Sequence, residues 1–208
     1  SVPASWGQKR NSMTRQSSTR GAVAAPRYTG AMAILKVPRL GHPVLRMAAR
    51  PVPVEAIPTP EIQRLVDDMI ETMHDYAGVG IAAPQVHESR RIIVLESAAN
   101  PRYPEKPPVP LAVYVNPVLT VLGDETEDDW EGCLSVPDLR GMVPRATRVR
   151  VEAYDRQGQP VAFEATGWHA RILQHECDHI DGKVFLDRMR DLSTLTHLAE
   201  FGRFWAPR

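Results

Sequence analysis

The chain has 208 residues and a mass of 23.2 kDa, enough for one domain. Apolar residues make up 43% and charged residues 24%, a balance that excludes a wholly disordered chain and a collagen-like one. Lys plus Arg number 25 and Asp plus Glu 25, so no overall field calls for nucleic acid or an anionic membrane; no apolar run approaches the roughly 18 residues of a membrane span. Two cysteines are too few for a disulfide scaffold and fit a reducing compartment, and 19 prolines argue against a helical bundle.

The balance hides an asymmetry. Residues 1–31 carry Lys9, Arg10, Arg15, Arg20 and Arg27 and no acidic residue, which leaves 20 basic against 25 acidic residues in the remainder. This stretch is rich in Ser, Thr, Arg, Ala and Gly and lacks apolar periodicity, so it reads as a disordered tail ahead of a single domain, 32–208. Three readings of it stay open: upstream sequence before a start at Met32, an organelle transit peptide, or a functional arm. It has no apolar core of the kind a secretory signal needs.

From Met32 the text becomes globular. Thr59-Pro60-Glu61 reads as an N-cap, a first-turn proline and an acidic first turn. Ile62, Leu65, Val66, Met69, Ile70 and Met73 follow at helical spacing, and the helix should stop before Gly78. Arg91–Glu96, Leu111–Val115 and Val118–Leu122 read as strands, with a proline-rich loop over Ser97–Pro110. Asp124–Glu131, with six acidic residues of eight, reads as a solvated loop; the alternative is a supporting role for Glu131 beside a metal ligand. Arg148–Tyr154 alternates cleanly and should pair with Val161–Ala165 through a turn at Gly158. A helix is expected from about Gly167 to Asp181, stopped by Gly182. A last amphipathic helix from about Asp191 should bury Leu192, Leu195, Leu198 and Ala199. Short, mostly antiparallel strands around a central helix make an α+β fold.

The densest chemistry is His175-Glu176-Cys177-Asp178-His179. Residues four apart on a helix differ by about 40° in azimuth and one turn in height, so His175 and His179 can grip one metal ion. Glu176 lies between them and can reach a metal-bound water without being a ligand. The bland alternative is a surface helix with two histidines. A catalytic site needs a third protein ligand. Downstream, His197 and Asp187 are poorly placed. Upstream stands Cys133 in Glu131-Gly132-Cys133-Leu134-Ser135, whose alternative fate is that of a small buried hydrophobe. Cys177 faces about 200° away from either histidine and reads as core. His42, His74 and His87 have no spaced partner, and His169 reads as surface or as support for a ligand. Arg140 can pair with Glu131, meet a substrate carbonyl or simply lie on the surface.

A third motif, Gly78-Val79-Gly80-Ile81-Ala82-Ala83-Pro84-Gln85, precedes these two. The three in this order resemble the peptide deformylase family, over about residues 32–190. The resemblance implies that Cys133, His175 and His179 are the metal ligands, that Glu176 is the general acid/base, and that Gln85 and the Leu134 N–H donate to the substrate carbonyl. It implies that Gly80 and its neighbours form an edge for an extended peptide, and that Val79, Trp168, Ile172 and His175 border a methionine pocket. The implied reaction removes formate from the N-formylmethionine of nascent polypeptides. The implied partners are those peptides and the ribosome near its exit tunnel. The implied cofactor is one divalent ion, Fe2+ in the cell, with Zn2+, Ni2+ and Co2+ fitting the same donors. The compartment is the cytoplasm of a bacterium, or the mitochondrion or plastid if residues 1–31 are a transit peptide. Ile81 and Ile180 stand where the family commonly has Leu, a volume-conserving change. The proline-rich loop is long, as in a subgroup with organellar and some bacterial members, and the segment after the last ligand is short for a ribosome-docking helix.

The chemistry asks for this set. A divalent cation lowers the pKa of bound water from about 15.7 towards 7. Glu176 can take the proton from the attacking water and return it to the leaving amine. Gln85 and the Leu134 N–H would stabilise the oxyanion, where losing one donor typically costs about 3–4 kcal/mol. A metallopeptidase would need a third ligand downstream of His179, and a non-catalytic metal protein is expected only if Glu176 or Gln85 were replaced.

Overall fold

The computed structural model describes residues 32–98 and 105–206. Helix α1 spans Pro60–Asp75 and α2 spans Gly167–Ile180, with a short α3 at Leu198–Phe204. The strands are β1 (Gly80–Ala82), β2 (Ile92–Ser97), β3 (Val109–Val121), β4 (Thr126–Cys133), β5 (Val136–Ala146), β6 (Arg148–Tyr154), β7 (Pro160–Thr166) and β8 (Thr196–His197). They form two antiparallel sheets, one ordered β1-β2-β3-β6-β7 and one ordered β4-β5-β8. The tail and the middle of the proline-rich loop lie outside the described residues.

The larger sheet is sandwiched between two helices, and β2 explains how. Its continuous apolar run serves both faces. Ile93 and Leu95 pack with Ala170, Leu173, Cys177 and Ile180 of α2. Ile92 and Val94 pack with Ile62, Val66, Met69 and Met73 of α1. The expected α1 stripe is thus core, with Leu65 and Ile70 at its margin. Thr59 occupies the N-cap position, but its hydroxyl donates to the Ala56 carbonyl at 2.6 Å and does not cap. The β6–β7 hairpin, the turn at Gly158 (φ +79°) and the stop of α2 before Gly182 (φ +74°) agree with the sequence reading.

Three expectations are corrected. The two strands expected at 111–122 are one, β3, because Asn116-Pro117 makes a bulge and not a turn. Asn116 (φ +53°) is held there by two hydrogen bonds to the Val52 backbone, both 2.8 Å. The acidic segment is not a loop but β4, paired with β5 from Thr126 to Cys133. Its charge did not prevent pairing, since Lys106 and Arg190 meet Asp129 and Asp128, and Glu131 is buried among cations. The last helix does not begin near Asp191. Asp191 instead accepts from Ser193 N in a turn, Leu192 is exposed, and α3 starts only at Leu198. Leu195 does reach the small core around Cys133, Val143 and Phe185.

Candidate metal centre

Helix α2 lays its apolar side on the larger sheet and turns His175 and Glu176 towards a cleft between the sheets. The end of β4 brings Cys133 to the same place. Cys133 Sγ lies 3.2 Å from His179 Nε2. The donor atoms of Cys133, His175 and His179 all fall within 4.8 Å of one another, the one group of this kind among the described residues. Burial opposes ionisation of the Cys133 thiol, but the charge of His179 and the hydrogen bonds with His175 and His179 outweigh it. They hold its pKa well below the ordinary thiol value. A buried thiolate stabilised in this way, beside two imidazoles, is the donor set a borderline-soft divalent cation takes.

The candidate ligands are themselves held. His175 Nδ1 meets Glu131 Oε2 at 2.8 Å, which leaves Nε2 for the cluster. Arg145 grips both oxygens of Glu131 at 2.9 Å, and Arg171 donates to Oε1 at 2.9 Å. Arg145 also donates to Asp178 at 2.6 Å, and Arg188 holds the other oxygen of Asp178 at 2.6 Å. Burial works against charge on Glu131, but His175 and Arg145 win and push its carboxyl far below the usual range. Asp178 is lowered likewise against its burial, by Arg188 and Arg145.

Glu176 sits differently. Burial raises its carboxyl to about 7, against the pull of His175 and His179. Its Oε2 has no hydrogen-bond partner among the described residues. Gly80 on β1 makes room for it, because a Cβ there would overlap the Glu176 carboxylate. Gln85 is buried with a fixed orientation. Its Oε1 accepts from Ala82 N at 2.9 Å, so its Nε2 must face Cys133 Sγ (3.4 Å) and Ser135 Oγ (3.3 Å). Leu134, Val79, Gly80, Trp168 and Ile172 line the cleft with Gln85, Cys133, His175 and Glu176. His179 lies behind, almost fully buried.

The other singled-out residues go elsewhere. Cys177 is core, with burial driving its thiol pKa up. His42 accepts from Val44 N, His74 meets Glu96, His87 packs on His42, and His169 stacks on Phe163. Arg140 is buried beside Phe201; Glu131 is held instead by Arg145 and Arg171. Sequence reasoning missed Arg145, Arg171 and Asp178. Arg171 was within reach, since Arg171, His175 and His179 stand four apart on one face of α2. Arg145 shows only as a charge amid the apolar alternation of β5, a signal without a partner until the strands pair.

A helix offering two histidines and a buried acid to a thiolate, with an oriented amide alongside, defines a metal-dependent hydrolase. Residues 34–194 match the family model described as polypeptide deformylase. The chain is 50% identical over 162 residues to peptide deformylase 1 of Bordetella pertussis, covering 77% of this chain and 89% of that protein. It is 44% identical over 159 residues to peptide deformylase 1 of Nitrosomonas europaea, covering 76% and 89%. A class I type b peptide deformylase from Acinetobacter baumannii, solved with Met-Ala-Ser bound, superposes with a TM-score of 0.74 at 42% identity, over 76% of this chain and all of that one. The chain belongs to the polypeptide deformylase family.

Proposed function

We propose that this cleft hydrolyses the formyl amide of N-formylmethionyl nascent peptides, with the work divided among its residues. Cys133, His175 and His179 hold one divalent cation, Fe2+ in the cell, with Zn2+, Ni2+ or Co2+ able to take its place. Bound there, the cation supplies an acidified water and polarisation of the formyl oxygen. Glu176 takes the proton of the attacking water and delivers it to the leaving α-amine. The Gln85 Nε2 and the Leu134 N–H donate to the oxyanion as the formyl carbon becomes tetrahedral. Val79, Trp168 and Ile172 take the unbranched apolar methionine side chain, and Gly80 offers its backbone to the peptide.

The observation that carries the reading is Glu176: a buried carboxyl at about 7, whose Oε2 has no hydrogen-bond partner among the described residues, beside the three-donor cluster. A proton carrier working near neutrality needs such a pKa. The bound Met-Ala-Ser of the Acinetobacter relative is the kind of molecule deformylation releases. Such substrates exist where translation starts on formylmethionine. The bacterial relatives favour a bacterial cytoplasm, with the nascent chain met near the ribosomal exit; a transit role for residues 1–31 would move the same chemistry to a mitochondrion or plastid.

The test is anaerobic formate release from a short N-formylmethionyl peptide by metal-loaded protein, with Glu176→Ala and the unformylated peptide alongside. Formate from the parent, none from the variant and no cleavage of the unformylated peptide are expected. Internal cleavage of either peptide would make the protein a peptidase. Silence on both would leave only metal binding.

A further inference from the structure

Side chains alternate along β4, so while Glu131 and Cys133 turn inward, Trp130 and Gly132 face the other way. Trp130 nevertheless lines the catalytic cleft, with Trp168 and Ile172. Opposite Trp130 and Gly132 on β5 stand Met142 and Arg140. Gly132 carries no side chain, so this face of the hairpin has a gap between Trp130 and Arg140. The C-terminal segment fills it. Phe201 meets the Trp130 ring edge-on at 5.0 Å and lies 4.8 Å from the Arg140 guanidinium. Trp205 meets the same indole at 5.4 Å.

The segment is tied to that hairpin along its length. Arg190 pairs with Asp128 at 2.9 Å, Thr194 Oγ1 accepts from Met142 N at 3.1 Å, and β8 pairs with Leu139 and Arg140. None of these contacts touches the donors or Glu176, and the hydrolytic chemistry does not use them. A segment anchored three times to one hairpin, and ending in two aromatic rings on one indole, fixes that indole.

We propose that residues 190–205 form a strap that holds Trp130 in place, and that Trp130 favours apolar side chains downstream of formylmethionine. This rests on the deformylase reading. The methionine has its own lining in Val79, Trp168 and Ile172, so the indole is left for the next residues of the peptide. Its flat apolar surface is worth most when held still before the peptide arrives. Trp130 is the specificity-determining residue, and Phe201 and Trp205 are positioning residues.

The test compares formyl-Met-Leu-Leu with formyl-Met-Ser-Ser on the full-length, metal-loaded protein and its Phe201→Ala variant. KM for the leucine peptide should rise roughly three- to tenfold, with less than about a twofold change for the serine peptide. The kcat and the metal content should not change, and Phe201→Tyr should restore the parent ratio. A ratio unchanged in Phe201→Ala, or a fall in kcat alike on both peptides, would overturn the strap. If Phe201→Ala does not fold, Trp205→Ala carries the same test, because that ring is 54% exposed and its loss spares the core. No formate from the unaltered protein on either peptide would sink the deformylase reading, and the strap's role with it.

Discussion

Gly80 and Glu176 are a matched pair. The glycine lacks a side chain at the one point where the buried carboxyl needs space. Gly80→Ala should therefore push Glu176 aside and lower formate release by roughly 10²-fold, the scale of a misplaced reacting group, with metal content unchanged. Glu176→Gln should lose about 10²- to 10⁴-fold in kcat, again with metal retained. The pH dependence has a definite sign. In the proposed mechanism Glu176 is a base in its charged form, and burial sets its carboxyl at about 7. A bound dication pulls the other way. The acid limb of kcat/KM should thus lie at or below about pH 7, with activity falling as pH falls, and Glu176→Gln should erase it. At Glu131 the expected loss is of metal. Glu131→Gln removes the acceptor that orients His175, and affinity should drop roughly 10- to 100-fold, read by competition with a chelator.

At the scale of elements, the buried charges join β4, β5, α2 and the segment after α2 into one network. Asp178 is the hub, between Arg145 and Arg188. Asp178→Asn strips Arg145 of a buried partner and should destabilise the fold by roughly 3–5 kcal/mol, seen as a lower denaturation midpoint. Asp178 and Glu131 both have depressed pKa values. Their stabilisation is therefore full above the unfolded carboxylate values near pH 4 and is lost as the pH falls below them. Legibility also varied by element. Helix α2 and the β6–β7 hairpin could be read because period, turn and stop signals agreed over short distances. β4 could not, since its acidic face is neutralised by Lys106, Arg190, Arg145 and Arg171, which the chain delivers from far away. β3 was split by Asn116-Pro117, a turn signal that tertiary bonds from Val52 convert to a bulge. The Leu-rich C-terminus looked amphipathic, but its strand β8 joins an edge that no local pattern announces.

At the scale of the molecule, the donor cluster spans two layers. Cys133 belongs to the smaller sheet, while His175 and His179 belong to the helix packed on the larger one. A cation bound by all three links the layers, and ligand binding to the native state alone adds about 4 kcal/mol at 1,000 times Kd. Chelation should lower the thermal midpoint and abolish formate release, and re-addition of the ion should restore both. The three motifs were legible as a set because each is short and carries its chemistry in residue type. Their convergence, the order of strands and the ion network were not, because they depend on pairings between segments tens of residues apart.

Among the described residues, strand β1 pairs with β2 on one side only and ends the larger sheet beside Glu176. A polypeptide read against such a border is recognised through its main chain, which every protein has in common. The period of two in extended chains then limits what can be inspected: successive side chains point to opposite sides, and only alternate ones return to the same wall. Under the proposed function, an enzyme built this way would serve many different new chains, indifferent to most of each message and attentive to its first letter and to the alternate ones that return to the same wall.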